Sequence, residues 1–131
     1  MLNFNSILIF SDNPKKLADF YSKVFEIDSN MDQGDYFGFM VGDGYITIGP
    51  HDKVHGKNEK PERIMFNLET DEVKKQFDRI DKLGARVISK PYQPMEESDY
   101  WVATFADPDG NYFQLTSPWK DMDQDDSKSV N

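Results

Sequence analysis

Apolar positions along the chain recur in the same order twice. Residues 4–10 are apolar and rich in β-formers, which predicts a strand. Ser11, Asp12 and Asn13 then offer helix caps, and Pro14 suits a first helical turn. From Pro14 to about Glu26, Leu17, Phe20, Tyr21, Val24 and Phe25 fall at helical spacing. Residues 36–41 predict a strand, Gly42-Asp43-Gly44 a turn, and residues 45–48 the returning arm of a hairpin. A polar stretch, 50–61, separates this half from the next and holds both histidines.

The second half repeats the order. Residues 63–68 predict a strand, and Thr70 a cap for a helix over about 71–83, with Phe77, Ile80 and Leu83 on one face and Gly84 as its stop. Residues 85–89 predict a strand, and 91–98 a loop with two prolines. A strand over 100–105 and the tight turn Asp107-Pro108-Asp109-Gly110 lead to a last strand over 112–116. The halves are offset by roughly 58 residues, a period at which repeats are informative. The expected class is α+β, with two βαβββ modules over about 1–57 and 58–117 and an acidic polar tail over 118–131. One such module is too small to close a core alone, so two should pair.

Composition narrows the partners. The chain has 131 residues, 37% of them hydrophobic and 14% aromatic, enough for one domain with a packed core. Its net charge of -9 repels nucleic-acid backbones and anionic lipid, so neither is an expected partner. With no cysteine there is no thiolate nucleophile, cysteine-based metal site or disulfide, which fits a cytoplasmic setting. The first residues alternate like a strand and carry no basic lead-in, unlike a signal peptide.

Several side chains carry candidate chemistry. Arg63 and Asn67 share a face by strand alternation; Arg63 is either half of a structural salt bridge or an anchor for an anionic or carbonyl-bearing ligand. Tyr36, Phe37, Phe39, Tyr45, Tyr100, Trp101 and Tyr112 either build core and interface or line a pocket for a flat apolar guest. Glu96, Glu97 and Asp99 are a solvated acidic run or part of a site for a cationic guest. His51 and His55 read as loop histidines, with a metal site made by His51, Asp52 and His55 as the sharper alternative. No phosphate-binding glycine loop and no nucleophile elbow is present.

Three segments resemble the glyoxalase / bleomycin-resistance / dioxygenase (vicinal oxygen chelate) superfamily: Phe20-Tyr21-Ser22-Lys23-Val24-Phe25, Arg63-Ile64-Met65-Phe66-Asn67-Leu68, and Phe105-Ala106-Asp107-Pro108-Asp109-Gly110-Asn111-Tyr112-Phe113-Gln114-Leu115. In order, they cover about residues 3–117. The resemblance implies a curled mixed sheet around a central cleft, helices outside, and a homodimer. It also implies a divalent metal held by His, Glu or Gln at positions that here fall on Asn5, Thr47, Arg63 and Gln114. Alternation then turns Tyr45, Thr47, Tyr112 and Gln114 toward that cleft, and Ile46, Ile48, Phe113 and Leu115 toward the helices. Asn, Thr and Gln are weak neutral donors, and Arg has no lone pair and a permanent charge. The expectation is therefore no metal and no cofactor. The cleft would bind a small molecule, anionic if Arg63 is the anchor, through Arg63, Asn5, Thr47, Gln114, Asn67, Tyr45, Tyr112 and Trp101. The rival expectation is a metal-dependent enzyme of glyoxalase or dioxygenase type with unusual ligands.

Overall fold

The structure is a computed structural model that describes residues 1–119, without the side chains of residues 31–33; most of the tail read at 118–131 lies outside it. Two compact units emerge among the described residues, Met1–Pro61 with Asp107–Asn111, and Glu62–Ala106 with the chain that follows from Tyr112.

The first unit holds β1 (Ser6–Phe10), α1 (Pro14–Phe25), β2 (Met31–Gln33), β3 (Tyr36–Val41) and β4 (Gly44–Gly49). Its sheet runs β1-β4-β3-β2, with β1 parallel to β4 and the other pairs antiparallel. α1 starts where the sequence asks. The Asn13 side chain accepts the Lys16 N–H, Pro14 needs no donor at the first turn, and the Ser11 hydroxyl accepts the Asn13 N–H. The helix buries Leu17, Ala18, Tyr21 and Val24, and Phe25 meets Phe39 edge to face at 5.5 Å. Each large side chain so buried contributes on the order of 1.5–3 kcal/mol of transfer free energy. Phe39, Ile46 and Ile48 therefore face α1, and alternation turns Tyr45 and Thr47 the other way.

The second unit holds β5 (Phe66–Glu69), α2 (Val73–Lys82), β6 (Arg86–Tyr92), β7 (Val102–Ala106) and β8 (Tyr112–Thr116), in the sheet order β5-β8-β7-β6. Again the first and last strands are parallel and the rest antiparallel. Phe77 of α2 stacks on Phe105 at 5.0 Å, and Phe105 stacks on Phe113 at 5.7 Å.

Several boundaries differ from expectation. β1 begins at Ser6 and β5 at Phe66, so Phe4 and Arg63 precede their strands; no ladder partner lies opposite them. α2 begins at Val73, and Thr70 instead accepts the Glu72 N–H through its hydroxyl, forming a turn before the helix. β6 continues through Pro91 to Tyr92, which an edge strand with register shifts tolerates. Tyr100 and Trp101 precede β7, and β2 was not anticipated.

The repeat can be set by hydrogen bonds. Ser11 N–H donates to Gly49 O at 2.9 Å, and Thr70 N–H donates to Thr116 O at 2.9 Å. Ser11 and Thr70 are thus counterparts, as are Leu8–Thr47 and Asn67–Gln114.

Candidate functional site

In the second sheet, Asn67 and Gln114 are register partners, and Gln114 pairs in turn with Thr104 of β7. The Gln114 amide donates to the Thr104 hydroxyl at 3.0 Å. Thr104 is buried, Gln114 half-buried and Asn67 exposed, so the row grades from core to solvent. Tyr112 lies two residues before Gln114 on the same face and is half-buried. Arg63 is exposed and four residues before Asn67, outside the strand; the shared strand face expected for the pair is therefore not formed.

Trp101 does not join this row. Its ring lies under the Lys74 ammonium of α2, 3.9 Å from nitrogen to ring centroid. Trp101 thus sits on the helix side of the sheet, with Phe105 and Phe113, whereas Gln114 and Thr104 occupy the other side.

In the first sheet, Thr47 lies between Leu8 and Gly38 and is half-buried. Tyr45 reaches across Gly38 and donates its hydroxyl to the Asn30 amide oxygen at 2.8 Å. Asn5 is exposed, and its carbonyl accepts the Tyr45 N–H. Because Ser11 matches Thr70, the repeat sets Arg63 against Phe4, one residue before Asn5. Carried one residue back, the alternation of β1 turns Asn5 with Ile7 and Ile9, the partners of Ile46 and Ile48.

These donor sets do not fit a divalent ion. The first unit offers Thr47 with Asn5, or with an apolar Phe4 once the repeat is matched by hydrogen bonds. The second offers Gln114 and a guanidinium, which repels cations. Among the described residues no group of three His, Asp or Glu side chains is arranged to hold a metal ion. His51 instead accepts the Lys53 N–H through Nδ1 and lies 3.2 Å from Asp52, while His55 approaches Asp12 at 3.9 Å.

The most perturbed acids lie elsewhere. Tyr21, fully buried, donates its hydroxyl to Asp107 Oδ2 at 2.7 Å. Asp107 Oδ1 accepts the backbone N–H groups of Asp109 and Asn111, at 2.9 and 3.0 Å. Burial raises the Asp107 carboxyl above its ordinary value, outweighing these hydrogen bonds, which lower it. Burial, then the nearby Asp107 charge, raises the Tyr21 phenol well above its ordinary value. This pair braces the Asp107–Asn111 turn. The sequence marks the turn but not the phenol 86 residues away that caps it. Thr104 was likewise missed, although the register of β7 against β8 makes it the neighbour of Gln114.

Two four-stranded mixed sheets, each built as a βαβββ module with its helix on one face, define a glyoxalase-type α+β fold. The family model described as "Glyoxalase-like domain" matches residues 6–116, and the chain belongs to that family, within the glyoxalase / bleomycin-resistance / dioxygenase superfamily. No curated protein matches the sequence. Among solved structures, a superfamily member from Sphaerobacter thermophilus DSM 20745 is similar over 90% of this chain and 98% of its own, at 16% identity and a TM-score of 0.71. A family enzyme from Burkholderia phytofirmans PsJN is similar over 88% and 98%, at 19% identity and 0.70. The fosfomycin resistance protein FosX from Listeria monocytogenes is similar over 90% and 93%, at 18% identity and 0.63. At such identities these likenesses establish the fold. No described helix is long and apolar enough to cross a membrane.

Proposed function

We propose that this chain binds a small anionic molecule without the metal used by the superfamily's enzymes, and that Arg63 supplies the positive charge. The donor set carries this reading. At the positions the resemblance assigns to metal ligands, the chain has no imidazole and no carboxylate, and one of them is a guanidinium. Asn67, Gln114 and Tyr112 present amide and phenol groups on one face of the same sheet, suited to orienting a carboxylate or a polarised carbonyl. A homodimer belongs to the same proposal. Its support is the open face of the first sheet, where Leu8 is 59% and Met40 53% exposed.

Arg63→Met tests the anchor. The residue is exposed and outside β5, so the variant should fold. A charge-assisted hydrogen bond is worth about 1.5–3 kcal/mol, and solvent screening at an exposed arginine favours the low end, about tenfold in affinity. Anionic metabolites that raise the melting temperature of the parent protein should bind Arg63→Met at least about tenfold more weakly. Equal binding by parent and variant would remove Arg63 from the site.

A further inference from the structure

The helix side of the second sheet carries a separate cavity of about 480 Å³, beside the start of α2. That is within the range of roughly 300–1,000 Å³ common to small-molecule sites. Trp101 forms one wall, and three acidic residues, Asp71, Glu72 and Asp99, share the lining with two lysines, Lys74 and Lys75. Lys75 is engaged by Glu72 at 3.3 Å. Lys74 is the cation on the indole, 3.9 Å from the ring centroid.

The backbone beneath the indole is tied to the end of β8. Ser117 accepts the Trp101 backbone N–H through its hydroxyl at 2.9 Å, and the Ser117 N–H donates to the Trp101 carbonyl at 3.0 Å. The same hydroxyl donates to the Asp99 carbonyl at 3.3 Å, tying the acidic wall to the aromatic one. An aromatic face beside acidic residues is the chemistry that selects an organic ammonium, because the ring quadrupole and the acids attract the same charge.

We propose that this pocket binds a small organic ammonium, which displaces Lys74 from the face of Trp101. Lys74 is the pocket's own occupant: it shows that the wall accepts an alkylammonium, and its flexible stem on an exposed helix position lets it leave. When it leaves, three acidic residues and one other lysine remain in the lining. The site lies on the opposite side of the sheet from Gln114, so it does not rest on Arg63.

Choline chloride is the probe, with 3,3-dimethyl-1-butanol as its uncharged isostere and inorganic phosphate as the anionic control. The readout is the indole Nε1–H resonance of Trp101 in a Trp119→Phe background. Choline should give a saturable shift that the alcohol does not. Lys74→Ala, which vacates the ring, should bind choline several-fold more tightly, and Arg63→Met should bind it unchanged. A Lys74→Ala protein, folded by circular dichroism, that gives no saturable choline response would overturn the proposal. So would equal responses to choline and the alcohol, or a saturable response to phosphate alone, which would make Lys74 and Lys75 an anion site instead.

Discussion

Asp107 is a buried carboxyl with at least four donors around it: the Tyr21 phenol, the Asn111 amide and two backbone N–H groups. Its carboxyl is raised in the folded protein, so the native state holds this proton more tightly than the unfolded chain does. Its contribution to stability is therefore greatest below the unfolded carboxylate value and falls as pH rises through the folded one. Tyr21→Phe removes a hydrogen bond that lowers the carboxyl, so the Asp107 proton should be held more tightly still. Chemical denaturation should show Tyr21→Phe less stable than the parent by about 1–3 kcal/mol near neutral pH, with the deficit shrinking as the pH is lowered. A deficit that is constant from acid to neutral pH would mean that the hydroxyl bonds the protonated and the ionised carboxyl equally well. The phenol is raised as well, and the same sign rule makes its contribution fall only in alkali.

At the scale of elements, two glycines accommodate cross-strand rings. A methyl group at Gly38 would overlap the Tyr45 hydroxyl, and one at Gly49 would overlap the Tyr36 ring. Gly38→Ala should therefore swing Tyr45 away from Asn30 and cost about 1–3 kcal/mol, read as a lower urea midpoint with an unchanged slope. An unchanged midpoint would mean that Tyr45 moves freely and contributes little to the hairpin. The order of these elements was legible because alternation and helical spacing each point to one face; Ile46 and Ile48, and Phe113 and Leu115, are buried as read. Strand starts were less legible, since Phe4 and Arg63 stand beside runs of strand-forming residues, while the ladders begin only at Ser6 and Phe66. β2 is three residues long with polar members, too short for any period. Trp101 had no readable face because it precedes its strand, and only the Lys74 contact resolves it.

For the whole molecule, family membership and chemistry have to be argued separately. The fold repeats what Phe105–Leu115 and the two helices announce, while the positions that the resemblance assigns to metal ligands hold no imidazole and no carboxylate, Gln114 alone being of a ligand type. Residue types are visible without a structure, and a guanidinium offers no lone pair to a metal however the chain folds. Which side chains share a surface is less visible, because register and face depend on hydrogen-bond partners far along the chain. The central claim is that the positive charge at the site is a guanidinium and not an ion. Elemental analysis of protein produced in medium supplemented with zinc, nickel, iron and manganese tests it most directly. The account predicts metal far below one ion per chain, and anionic-ligand binding that withstands a strong chelator. About one tightly held ion per chain, lost in Gln114→Ala or Arg63→Ala, would contradict it.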